Sequence, residues 1–366
     1  MFQNKFRSYG AAVVLTLSAC VGCVERDEEI TIAPDGSVVI ELEYKGDEED
    51  ILRGDAMPSA EGGWNVVRTT EKDNDKIKHV LKAERRFAPN EQLPRTFAAT
   101  GDPNTDLYLD FPTTVRVEKR ADGVYYYFRR VYTPRRWAYI QRWNDVLFDD
   151  DMKKLADKPA EQLTPEERVK IAEAFAGLEA LKQVEFAQGA IEKSHPDLPA
   201  EYGLMARRAL IRVYEREEEK GNLERIITSC EALSEKERGE CYDAEVERIL
   251  GEAYGAYVQS LRQDARLSAE QVAAFERAYQ RTRRYHEISE QLGGHNFGIE
   301  VKMPGVIIAH NALDDKVDVN EQERTSTVDF NFDGKWFRDC PHELIVVSRL
   351  DDKPRAAARS QADGTD

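Results

Sequence analysis

The feature that most limits what this chain can fold into is a double change of hydrophobic period. From Glu29 to Thr133 apolar and polar residues alternate, from 134 to about 293 apolar residues recur every third or fourth position, and from 295 to 350 alternation returns. Alternation puts side chains on opposite faces of a strand, whereas the longer spacing builds one face of a helix. Strands isolated at the C-terminus would have no core of their own. Both strand blocks are therefore expected in one domain, giving an α+β fold: an antiparallel sheet domain, 20–133 and 295–350, interrupted by a large helical insertion, 134–294.

Turn chemistry sets the hairpins. Pro34-Asp35-Gly36, Asp73-Asn74-Asp75 and Ala121-Asp122-Gly123 each separate two alternating runs, which reads as three β-hairpins. "FGIEVKMPGVIIAHNAL", "TSTVDFNFDG" and "HELIVVSRL" supply the returning strands. In the insertion, Thr164 followed by Pro165 and Glu167 marks a capped helix start. Ser268 with Gln271 marks another, and Val246, Leu250, Ala253, Tyr257 and Leu261 form a stripe between them. No 34-residue pattern recurs, so a helical hairpin or bundle is expected rather than a repeat array.

The N-terminus carries an address. Lys5 and Arg7 precede the short apolar run 11–17 and the small residues Ser18 and Ala19, the layout of a signal peptide over 1–19. The run falls well short of the roughly 20 residues a spanning helix needs. Leu17-Ser18-Ala19-Cys20 resembles the lipobox of bacterial lipoproteins, which implies that Cys20 becomes a lipidated N-terminus and that the protein is extracytoplasmic and membrane-anchored. Two acyl chains anchor stably, since each buried CH₂ contributes about 0.8 kcal/mol. Without residues 1–19, which include Lys5 and Arg7, the 52 basic residues become 50 against 69 acidic ones, a net charge of −19. That surface repels nucleic acid and anionic headgroups beyond a Debye length, so neither is expected as a general partner.

Four further cysteines remain. Cys230 and Cys241 flank a short corner and are expected to pair; Cys23 and Cys340 either pair, if the strands they precede are neighbours, or stand free. The tail 351–366, rich in Ala, Arg, Asp and Ser, is expected to be disordered.

"ITIAPDGSVVIELEY", "VKMPGVIIAHNAL", "VDFNFDG" and "ELIVVSRL" together resemble the LppM-like domain of bacterial lipoproteins, over roughly 24–50 and 298–350. The shared marks are an Asp-Gly opening hairpin, a Pro-Gly followed by an Asn, and an apolar closing strand. The resemblance implies a small α+β domain at the outer face of a membrane and no particular activity. The helical stretch has no counterpart in it.

Candidate sites are few. "YYYFRRVYTPRRWAYIQRW", 125–143, sets arginines among aromatic rings; Arg129, Arg130, Arg135, Arg136 and Trp137 suit a phosphate, carboxylate or sugar ligand. The competing reading is a strand covered on both faces followed by an amphipathic helix. Asp102 to Asp110 begins like a calcium loop but lacks its Gly and its closing Glu. The six histidines are scattered and no phosphate-binding, dinucleotide-binding or nucleophile-elbow motif occurs, so neither a metal nor a cofactor is expected. The sequence therefore reads as a non-catalytic binding or adaptor lipoprotein, its insertion projecting away from the membrane towards an envelope protein partner. The alternatives are a receptor for a small or lipid-like ligand and, third, an envelope hydrolase.

Overall fold

The computed structural model describes residues 24–351 except 48–50, 52–53, 74–75, 138–145, 148, 157, 159–161, 200, 221–228, 231–234 and 315. The signal peptide, Cys20, Cys23 and the tail beyond Asp351 lie outside the described residues. The fold is α+β, with 11 strands in two sheets and 5 helices among the described residues, and the helices fall between two strand blocks. The chain divides into a helical unit, Arg136–Glu287, and a sheet unit formed by the segments either side of it. The boundary lies within a few residues of the change of period, except that the last turns of the final helix belong with the sheet unit.

The sheet unit holds β1 (Glu25–Ile32), β2 (Val38–Gly46), β3 (Asn65–Asp73), β4 (Lys76–Phe87), β5 (Thr113–Arg120) and β6 (Gly123–Tyr132) from the first block. The second block adds β7 (Asn296–Pro304), β8 (Val306–His310), β9 (Val317–Asn320), β10 (Thr325–Asp333) and β11 (His342–Leu350). All three hairpins form, as β1/β2, β3/β4 and β5/β6. The single antiparallel sheet is corrected: there are two sheets, ordered β3-β4-β2-β1-β7-β10-β9 and β5-β6-β11-β8. One pair, β1 and β7, is parallel. The chain leaves for the helices and returns at one end, the end where β1 begins. There Arg135 N–H donates to Phe337 O at 2.8 Å and Asn296 N–H to Val24 O at 3.0 Å. A strand that re-enters beside the start of β1 must run with it, and a parallel neighbour needs a long crossover. The insertion is that crossover.

The core of the sheet unit is a chain of rings drawn from both sheets. Trp64 meets Phe97, Phe97 meets Phe111, Phe111 meets Tyr132, and Tyr132 meets Phe297, at centroid distances of 5.4, 4.7, 6.0 and 5.8 Å. Such edge-on and tilted contacts add about 0.5–1.5 kcal/mol each beyond area burial.

The helical unit contains α1 (Asp150–Ala156), α2 (Pro165–Ser194), α3 (Glu201–Glu219), α4 (Glu235–Asp264) and α5 (Ala269–Gly293), the last of which runs on into the sheet unit. Thr164 and Glu167 close the expected capping box on α2, and Ser268 and Gln271 exchange the same bonds before α5. Phe186, Ile191, Ala209, Tyr257, Leu261 and Phe275 fill a common core of α2 to α5. Cys230 and Cys241 are disulfide-bonded as expected.

Candidate functional site

Among its described residues, 125–137, the Arg-aromatic stretch does not converge on one opening. On β6 alternate side chains face opposite ways, so Arg129 points outward to pair with Glu343, whereas Arg130 is fully buried. Arg135 is buried too, its guanidinium donating to Ser289 Oγ at 2.7 Å and Leu107 O at 2.9 Å. In the helical unit Arg136 is exposed, 3.6 Å from Glu192, and Trp137 is buried. Tyr126, Phe128 and Tyr132 are buried as well, so the covered-strand reading describes β6 and the proposed ligand rim does not form from these residues. Cys340 is exposed with a free thiol; its expected partner, Cys23, lies outside the described residues. Asp102 caps its own turn, accepting from Asn104 N–H at 2.8 Å.

What the stretch does contribute is half of a buried charge network. Arg130 Nη1 meets Glu28 Oε2 at 2.6 Å, and Arg130 Nε donates to Thr113 Oγ1 at 2.9 Å. Beside them Arg26 Nη1 meets Asp55 Oδ2 at 3.1 Å, and Asp55 Oδ1 accepts from Leu109 N–H at 2.8 Å. All four ionised side chains are buried. Burial pulls Arg130 towards neutrality, but Glu28 and Tyr132 more than offset it, and its basicity is raised. Burial, with help from Arg26, drives His295 well below the usual histidine range and keeps its ring neutral. Arg26 Nε and Nη2, Arg130 Nη2 and both His295 nitrogens have no hydrogen-bond partner among the described residues. The network is closed to the surface, which suits cross-linking of the two sheets.

The open feature is the outer face of the larger sheet, a hollow of about 690 Å³ lined by Asp27, Glu29, Glu41, Glu43, Glu300 and Asp329 among others. Register makes it regular. Glu84, Glu41, Glu29, Glu300 and Asp329 stand directly opposite one another across β4, β2, β1, β7 and β10, about 4.8 Å apart. Like charges directly opposite are destabilising. Partial burial and the neighbouring carboxylates Glu29 and Asp329 raise Glu300, and burial with Glu25 and Glu43 raises Asp27. One row on, Gly298 sits between Asp27 and Asn331, and a Cβ there would stand 2.6 Å from Asp27 Oδ1. Any partner that covers this face must neutralise it. Among the described residues no three His, Cys, Asp or Glu side chains are grouped to hold a metal ion.

Sequence reasoning missed both features. Arg26 sits in "ERDEE", where nothing marks one charge as inward-facing, and the carboxylate row exists only once the register of five strands is known.

No family model, no curated protein and no solved structure matches the chain.

Proposed function

We propose that the protein is a lipid-anchored, extracytoplasmic component of a bacterial envelope that acts by binding another envelope component rather than by catalysis. The observation that carries this reading is the tether. The lipobox-like Cys20 lies four residues before Val24, which is already buried at the start of β1. A folded body that begins so soon after an acylated cysteine is held at the bilayer surface. The chain enters and leaves the helices at the end of the sheet unit where β1 begins. A small-ligand receptor with the Arg-aromatic stretch at its mouth is the weaker alternative, because Arg130 and Arg135 are occupied by internal partners.

The test is the intact mass of protein extracted from membranes with detergent, beside a Cys20→Ser variant. The expected wild-type mass is that of residues 20–366 plus acyl chains, lost in the variant. A wild-type protein recovered unacylated in the soluble fraction overturns the proposal.

A further inference from the structure

We infer that the end of the sheet unit where β1 begins is a bilayer-contact surface, with Ile77 and Trp336 entering the phospholipid headgroup layer on either side of the tether. The inference rests on the lipid anchor proposed at Cys20.

Depth is the first argument. The start of β1, Glu25, pairs with Lys45, and Lys45 pairs with Val80. Strand β4 continues past that level to Lys76 and turns into β3 through Asp73. Four residues of hairpin therefore overhang the first strand, about 13 Å at ~3.3 Å per residue. The four residues from Cys20 to Val24 span at most about 14 Å. The overhang of the hairpin is therefore no longer than those four residues can span, so contact of the tip with a bilayer that holds an acylated Cys20 is within reach of the tether. At that tip Ile77 is 64% exposed, with Lys72 directly opposite it and Lys78 beside it.

On the other side of the tether, Asn296 pairs with both Glu25 and Asp333. The short 3₁₀ turn Gly334–Phe337 therefore begins two strands from β1, about 10 Å away. The turn is held rigidly: Asp333 accepts from Lys335 N–H at 2.8 Å, and Gly334 N–H donates to His295 O at 3.0 Å. Trp336 is 43% exposed. Its inner side rests edge-on against His342 at 5.1 Å, and His342 in turn abuts Phe332 at 4.4 Å. An indole backed on one side, open on the other and next to the exposed Lys335 has the amphipathic character that sits at headgroup level. Charge at this end is mixed, Lys72, Lys78 and Lys335 standing with Glu25, Asp47, Glu71, Asp333 and Asp339.

The experiment uses the full chain, extracted from membranes and reconstituted in phosphatidylcholine nanodiscs containing lipid brominated near the top of its acyl chains. Bromine quenches only tryptophans near it. Wild type should lose emission that Trp336→Phe does not lose. In the Trp336→Phe background, Ile77→Trp should restore the loss and Val306→Trp, at the opposite end of the sheet unit, should not. Intact mass of the same samples reports acylation. An acylated protein with no loss at 336 or 77, or equal loss at 306, overturns the inference while the anchor stands; an unacylated mass overturns both.

Discussion

Removing Arg130 tests whether the buried network cross-links the sheets. Arg130→Met leaves the Glu28 carboxylate buried, with Tyr44 O–H at 3.4 Å as its one remaining described donor. Breaking one side of a buried pair costs about 3–5 kcal/mol, because an uncompensated charge stays in the interior. Glu28→Gln alone should cost a similar amount, with Arg130 keeping Thr113 Oγ1 and the Tyr132 hydroxyl at 3.3 Å. The double variant has no orphaned charge, and the neutral amide it places at position 28 can still accept from Tyr44. It should lose no more than either single variant, a coupling of about 3 kcal/mol. Urea unfolding reads this as a midpoint shift of roughly 2 M for each single variant, at an m-value of about 2 kcal/mol per M. Amide exchange on β1 and β6 keeps the sheet unit's opening separate from that of the helices. A double variant that loses the sum of the two singles refutes the argument.

Three further outcomes follow from the geometry. His295 is held neutral when folded but titrates near 6.5 when exposed, so the unfolded state takes up the proton first: stability is full above that value and falls as pH drops below it. His295→Leu should flatten the decline in a pH series of thermal unfolding; an unchanged slope refutes the assignment, with His342→Leu as the control because burial lowers that ring too. Gly305, at φ +78°, turns β7 into β8 where an added Cβ would collide with the Arg349 carbonyl, so Gly305→Ala should cost about 2 kcal/mol or more in chemical unfolding. Cys230 and Cys241 lie 11 positions apart, so reduction or Cys230→Ala/Cys241→Ala should destabilise the helical unit by about 3 kcal/mol and leave exchange in the sheet unit unchanged.

The legible parts of the fold were those set by local chemistry. Pro34-Asp35-Gly36, the Thr164 capping box and the Ser268 start each specify a turn or terminus within a few residues, and each is where the sequence places it. The corrections all concern pairing at long range. Nothing in β7 says whether it will lie beside β1 or beside β11, and the parallel choice follows from where the crossover returns. Strand β9, Val317–Asn320, is mostly exposed, and its alternation is only four residues long, too short to mark a strand. The candidate ligand stretch misled for a related reason: adjacent arginines on a strand share a sequence neighbourhood but face opposite ways. Arg129 reaches solvent and Arg130 the core.

The same register bears on the membrane anchor proposed at Cys20. Within the core each buried charge of the Arg26–Asp55 and Arg130–Glu28 pairs is offset by its neighbour, so the excess negative charge is carried outside. Much of it lies on one sheet face, and its row crosses β1 at Glu29, four residues above Glu25. That is about 13 Å along the strand, more than the Debye length of roughly 8 Å at physiological ionic strength. For a chain anchored at Cys20, as proposed above, the carboxylate row would stand beyond the reach of headgroup charge, while Ile77 and Trp336 occupy the near end among charges of both signs, Lys72 and Lys335 with Glu25 and Asp333.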